Sequence, residues 1–108
     1  MKKLMFISFL IIVAFLGCEQ ETESWQVTLV NESDSVNAVL EIGGMLLITD
    51  PGEIDSYIFE EDAYNWELNM YYAESTVTES GSFVLDMNAA CYIWQVGEDF
   101  WYDWIFGE

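Results

Sequence analysis

The chain has 108 residues, of which 20 are Asp or Glu, only two are Lys or Arg and none is His, and its formal net charge is −18. This composition excludes an ordinary nucleic-acid-binding protein, because almost nothing neutralises phosphate. It also leaves an enzyme without the usual His or Lys base and without a cationic group to stabilise an oxyanion, so we expect a non-enzymatic protein with no catalytic residues.

The N-terminal segment has the layout of a secretory signal peptide. Lys2 and Lys3 precede a run over residues 4–16 that is apolar except for Ser8 and is followed by Gly17 and Cys18. Residues 4–17 are too short for a membrane-spanning helix, which needs roughly 20 residues. We therefore expect residues 1–17 to be a cleaved signal peptide rather than a permanent transmembrane anchor.

The end of this segment distinguishes a lipid-anchored protein from a freely secreted one. An ordinary signal-peptidase site has small residues one and three positions before the cut, but Phe15 and Leu16 are bulky. The Gly17-Cys18 pair instead resembles the lipobox of bacterial lipoproteins, although Leu16 stands where a small residue is usual. The resemblance implies that the Cys18 thiol is acylated and that the protein is anchored to a membrane of the cell envelope, on the periplasmic side or at the cell surface. Without acylation, the chain would be secreted.

The chain that remains after cleavage carries charge of one sign. Both lysines leave with residues 1–17, whereas all twenty acidic residues stay. Self-repulsion should weaken the fold at low salt, and a basic protein or a divalent cation becomes a plausible partner. Alternatively, the negative charge has no binding role and only keeps an aromatic-rich domain soluble. Residues 18–24 are polar and acidic and are interpreted as a tether, which leaves residues 25–108 as a single domain.

Apolar and polar residues alternate in short segments throughout the domain, and this period of two predicts β-strands. Gly43-Gly44 predicts a tight hairpin, because the favoured two-residue turns need positive φ angles. Turns are also predicted at Asp50-Pro51-Gly52-Glu53 and at Ser80-Gly81. The predicted strands are residues 25–29, 36–42, 45–48, 54–59, 63–73, 76–78, 83–87, 89–96 and 100–106.

This arrangement predicts an all-β fold. The turns are too short for the crossovers that connect consecutive parallel strands, so we expect a small antiparallel β-sandwich or barrel of about seven to nine strands. The first half of the domain, with its strand, Asn-containing turn, hairpin and Pro-Gly turn, vaguely resembles immunoglobulin-like lipoprotein domains. It lacks their Cys–Trp–Cys core, so the resemblance implies a fold and no functional residues.

Cys91 is the second cysteine of the chain. It lies in the apolar run Ala-Ala-Cys-Tyr-Ile-Trp, without a basic residue near it in sequence. If Cys18 is acylated, Cys91 has no partner for a disulfide within the chain. We therefore expect it to be a small buried apolar residue rather than a reactive thiol.

The last predicted strand carries large rings on both of its faces. Alternation places Phe100, Tyr102, Trp104 and Phe106 on one face and Trp101, Asp103 and Ile105 on the other. A two-layer sandwich buries only one face of a strand, so either a loop or a partner must cover Trp101. The candidate partner-binding residues are Trp101, Tyr102, Asp103 and Trp104, and the partner would be a protein or a glycan. In the competing interpretation, most of these rings form the core.

Calcium binding is the alternative function. Calcium takes six to eight oxygen ligands, commonly from acidic loops, and Asp50, Glu53 and Asp55 form one such loop. The sequence lacks the alternating D-x-D-x-D-G spacing that marks a strong calcium motif, so solvated turns are the competing interpretation. The leading hypothesis is a lipid-anchored binding or structural domain that uses no cofactor, and calcium is the only cofactor that the alternative would add.

Overall fold

The computed structural model describes residues 23–107. The predicted signal peptide, Cys18 and most of the tether lie outside the described residues. No helix among the described residues is long and apolar enough to cross a membrane. Eight strands make up the described secondary structure: β1 (Ser24–Asn31), β2 (Asn37–Ile42), β3 (Met45–Thr49), β4 (Ile54–Glu60), β5 (Asp62–Tyr72), β6 (Ser75–Leu85), β7 (Ala89–Val96) and β8 (Asp99–Phe106).

The strands form two four-stranded sheets, which confirms the predicted all-β sandwich. One sheet has the order β4-β1-β7-β8, and the other has the order β3-β2-β5-β6. Every described pairing is antiparallel except that of β1 with β7, which run parallel. The wholly antiparallel arrangement that we expected is therefore wrong for this one pair. Short turns exclude parallel pairing only between consecutive strands, whereas β1 and β7 are separated by five strands of the chain.

The alternating apolar residues meet between the two sheets. Inward-facing side chains such as Leu29, Leu40, Leu68 and Ile93 have no solvent-exposed area. Burial of each such aliphatic side chain adds roughly 1.5–3 kcal/mol to the free energy of unfolding, compared with leaving it exposed. Cys91 is buried among them, and burial, with a smaller effect of Asp103, raises the pKa of its thiol to about 12. The prediction that Cys91 is a buried apolar residue is thus confirmed.

The turn predicted at Ser80-Gly81 is wrong. Strand β6 runs without interruption through both residues, so two predicted strands are one, and the chain reverses at Ala73-Glu74 instead. Gly81 lies opposite Trp66, and a Cβ atom at position 81 would be 2.9 Å from the indole Cζ2. The glycine therefore allows a large ring to pack directly against the backbone of the neighbouring strand. Ala73 in the actual turn has a φ angle of 55°.

Candidate functional site

Strand β8 divides the four predicted partner-binding residues between two faces. Tyr102 and Trp104 are half-buried and pack against the core, with ring centroids 5.9 and 5.4 Å from that of Trp66. Trp101 and Asp103 lie on the outer face, where 45% of the Trp101 surface is exposed. The predicted alternation is confirmed, but Tyr102 and Trp104 are core residues and leave the set of candidate contacts.

Two further rings join Trp101 on the outer face. Trp94 lies opposite Trp101 in the pairing of β7 with β8, and Tyr92 lies opposite Asp103. The Tyr92 and Trp94 rings are nearly parallel, with an interplanar angle of 12° and centroids 5.5 Å apart. The Trp94 and Trp101 rings are 6.4 Å apart and inclined by 38°. We call these three rings, together with the flanking Glu32 and Asp103, the aromatic surface.

Glu32 is held beside this row of rings by two hydrogen bonds. Its backbone N–H donates to the Ile93 carbonyl at 2.9 Å, and its Oε1 accepts from the indole Nε1 of Trp94 at 3.1 Å. The first bond continues the parallel pairing of β1 with β7, in which Asn31 lies opposite Ile93. The position of Glu32 next to Trp94 therefore depends on the parallel strand pair, and no local sequence pattern indicates it.

The loop that carries Glu32 is itself fixed. Asn31 is buried, and its Nδ2 donates to the Val36 carbonyl at 2.7 Å. Its Oδ1 accepts the backbone N–H of Ser33 at 3.1 Å. From the other side, Oε1 of Gln95 accepts the backbone N–H groups of Asp34 and Ser35, both at 2.9 Å. The connection from β1 to β2 is thus tied to β7 close to the aromatic surface, and this fixes the carboxylate relative to the rings.

One row of apolar residues continues the aromatic surface across the outer face of the sheet. Val30 lies between Tyr92 on one side and Ile54 on the other, and 66% of the Ile54 surface is exposed. Antiparallel sheets normally carry polar residues on the face that meets solvent. On the other sheet, the outer positions of β5 and β6 are mainly polar: Asn65, Glu67, Asn69, Thr76, Thr78, Ser80 and Ser82. Leu46 and Ile48 of its strand β3 are nonetheless more than half exposed, so both sheets expose aliphatic side chains. The grouping of three rings, rather than exposed apolar area alone, therefore distinguishes the aromatic surface.

Residues 23–107 contain no Lys, Arg or His that could neutralise the carboxylates of the aromatic surface. The only lysines of the chain are Lys2 and Lys3, and the chain has no His. Asp103 Oδ1 accepts the backbone N–H of Trp104 at 2.9 Å. Burial raises the pKa of the neighbouring Tyr102 hydroxyl, and the negative charges of Glu79 and Asp103 add to this effect. Negative charge is therefore placed on both sides of the three rings.

The structure does not bring the candidate calcium ligands together. Glu53 Oε1 accepts the backbone N–H of Asp50 at 2.9 Å. Asp55 Oδ2 accepts the backbone N–H of Ile48 at 3.1 Å, and its Oδ1 accepts that of Ser56 at 2.9 Å. Among residues 23–107, no three His, Cys, Asp or Glu side chains form a group that could hold a metal ion. Two of the three carboxylates thus act as acceptors for local backbone groups.

A groove of about 700 Å³ lies on the other sheet, beside the Gly43-Gly44 turn, where Glu41 of β2 lies opposite Glu67 of β5. Asn65 and Ser82 add further polar groups to its lining. Because these side chains are exposed, the groove is a solvated polar surface and does not enclose a substrate.

No protein-family model, curated protein or solved structure matches this chain. Its function must therefore be argued from the sequence and from the geometry of the aromatic surface. The sequence indicated Trp101 and Asp103 as candidates, whereas Tyr92 and Glu32 were missed. The sequence could have indicated Tyr92, because residues 89–96 are apolar on both faces and a strand of this kind also places large apolar residues on its outer face.

Proposed function

We propose that the protein is a non-enzymatic lipoprotein of the bacterial cell envelope, anchored through Cys18, whose β-domain binds a basic partner protein through the aromatic surface. The observation that carries this proposal is the row of three outward-facing rings, flanked by carboxylates and continued across the sheet by Val30 and Ile54. Large rings that become buried at an interface supply much of its binding energy.

The charge distribution favours a basic protein over the other possible occupants. A second copy of the chain would bring Glu32 and Asp103 towards like charges, and an anionic membrane surface would repel the domain. A neutral glycan could stack on the rings, but it would leave the carboxylates without counter-charge. A partner that presents Lys or Arg around an apolar patch supplies the charges that residues 18–108 lack.

The position of the aromatic surface in the fold supports the same conclusion. The chain enters the domain from the tether at Ser24 and follows β1 to Asn31, which lies opposite Ile93. Trp94 is the next residue of β7, so the Trp94–Trp101 pair lies at the end of β1 that is remote from the tether. Eight strand residues span about 25 Å at roughly 3.3 Å each. The aromatic surface therefore lies towards the end of the sheet that is farther from the point where the tether joins the domain.

Site-specific photocrosslinking in intact cells tests the proposal. The photoreactive amino acid p-benzoylphenylalanine replaces Trp101 in one strain and Tyr71 in a control strain. Tyr71 is a suitable control because 39% of its surface is exposed and it lies on the outer face of the other sheet. We expect a discrete product with one basic protein from position 101 and none from position 71.

Each other outcome of the crosslinking experiment contradicts the proposal. A crosslinked glycan at position 101 would show that the partner is a sugar and not a protein. A product with a second copy of the chain would indicate self-association. The same products from positions 101 and 71 would show that the aromatic surface is not a specific docking surface. Loss of the membrane-bound form on Cys18→Ser substitution tests the anchor separately, and a protein that stays membrane-bound would contradict it.

A further inference from the structure

We infer that the group which the aromatic surface recognises is arginine, with its guanidinium stacked on the rings and paired with Glu32. This inference rests on the proposed function and makes the basic partner more specific. It comes from three features of the surface: the mutual inclination of the rings, the way in which Trp94 is held, and two carboxylate oxygens to which no residue within 23–107 donates a hydrogen bond.

The rings form a row and do not form a cage. Tyr92 and Trp94 are inclined by only 12°, and Trp94 and Trp101 by 38°. A planar guanidinium can extend a nearly parallel, offset arrangement of rings, combining stacking with a cation–π interaction. An ammonium group is a compact, strongly hydrated charge, and rings bind it best when they surround it. The nearly parallel Tyr92–Trp94 pair therefore favours Arg over Lys.

Trp94 is held in place before any partner binds. Its indole N–H donates to Glu32 Oε1 at 3.1 Å, and its ring is stacked on that of Tyr92. A side chain that is already fixed loses less conformational freedom on binding. Trp94 therefore offers a pre-organised face to an incoming planar group.

The carboxylates retain free acceptor positions beside this face. Within residues 23–107, Glu32 Oε2 and Asp103 Oδ2 accept no hydrogen bond, although Oε1 and Oδ1 of the same groups each accept one. A guanidinium carries five N–H donors in a fixed plane, so it can stack and donate to a carboxylate at the ring edge at the same time. Glu32 supplies that carboxylate next to Trp94, and Asp103 supplies negative charge on the other side of the row.

A titration with defined peptides tests this inference. The full chain, purified in a neutral detergent, is titrated with a short Gly/Ser peptide that carries two arginines. Matched peptides carry two lysines, which keep the charge, or two citrullines, which keep the planar shape without the charge. We expect the arginine peptide to bind about tenfold more tightly than the lysine peptide, and the citrulline peptide to bind more weakly than both.

Variants locate the preference on the surface. Trp94→Leu should reduce the arginine-over-lysine ratio to about one, while Tyr71→Leu on the other sheet should leave it unchanged. Glu32→Gln keeps an acceptor for the Trp94 indole but removes the charge, so it should weaken the arginine peptide. Glu67→Gln on the other sheet is the matched control, and all four variants are compared by thermal unfolding first.

The outcomes separate this inference from the proposed function. Equal affinity for the arginine and lysine peptides would overturn the inference, and so would the absence of binding by the arginine peptide. If both charged peptides bind equally and Trp101→Ala weakens both, the surface still binds basic partners and only the preference for arginine fails. If no peptide responds to any change on the aromatic surface and crosslinking at position 101 gives no basic protein, both the inference and the proposed function fail.

Discussion

Substitution of Gly81 by alanine is expected to destabilise the domain. This is the reverse of the usual effect, because alanine in the middle of a strand is normally more stable than glycine by roughly 0.5–1 kcal/mol. The added Cβ would lie 2.9 Å from Cζ2 and 3.1 Å from Cε2 of Trp66. Trp66 is buried, and its ring has little room to move, because it packs against Tyr102 at 5.9 Å and Trp104 at 5.4 Å between centroids. Overpacking of this kind costs about 1–3 kcal/mol, so we expect a net loss of about 1–2 kcal/mol.

Urea unfolding of the full chain measures this loss in a double-mutant cycle with Trp66→Leu. The smaller leucine should relieve the contact, so Gly81→Ala should become neutral or slightly stabilising in that background. Ser80→Ala, at a solvent-facing position of the same strand, is the control and should change the free energy of unfolding by less than about 0.5 kcal/mol. An equal loss in both backgrounds would refute the indole contact as the reason for the glycine, as would no loss in the wild-type chain.

Three further predictions concern the backbone, the thiol and the charge. Ala73 has a φ angle of 55°, so Ala73→Gly should raise the free energy of unfolding by about 1 kcal/mol; an unchanged urea midpoint would contradict strain at this turn. The raised pKa of Cys91, about 12 against 9.0 for a free thiol, gives stability that is fully present below pH 9 and lost as pH rises towards 12. Between pH 8 and pH 10 the wild type should therefore lose about 1.4 kcal/mol more than Cys91→Ala, and parallel pH profiles would contradict this. Finally, NaCl should raise Tm, because screening relieves the repulsion between the carboxylates. Calcium and magnesium at equal ionic strength should raise Tm equally, since residues 23–107 contain no group of three ligands that could hold a metal ion. A rise in Tm that is specific to calcium would support the metal hypothesis.

Local patterns in the sequence were sufficient to predict much of the fold. The alternation of apolar and polar residues gave most strands, and the Gly43-Gly44 hairpin is confirmed, with φ angles of 58° and 82°. Trp101 was correctly placed on the outer face, because adjacent residues of a strand point in opposite directions. These features depend only on residues that are close together in the chain.

Features that depend on distant residues were missed. Ser80-Gly81 has the composition of a turn, but the reason for Gly81 is the Trp66 ring on the neighbouring strand. Glu32 belongs to the aromatic surface only because β1 runs parallel to β7, a pairing of strands that are far apart in the chain. Tyr102 and Trp104 were grouped with Trp101 because all three are large rings, yet they pack inside the sandwich. Composition alone therefore included too many residues of β8 in the candidate site and missed the candidate residues on other strands.

The most direct test of binding at the aromatic surface is the affinity of the crosslinked partner for Trp101→Ala, compared with Tyr71→Ala. The exposed 45% of Trp101 corresponds to about 110 Å² of a side chain of about 250 Å². Burying that area at about 25 cal/mol per Å² contributes about 3 kcal/mol, or about a hundredfold in Kd. We predict that Trp101→Ala weakens binding by about this factor while Tyr71→Ala leaves Kd unchanged. Equal values of Kd for the two variants would contradict docking through the aromatic surface.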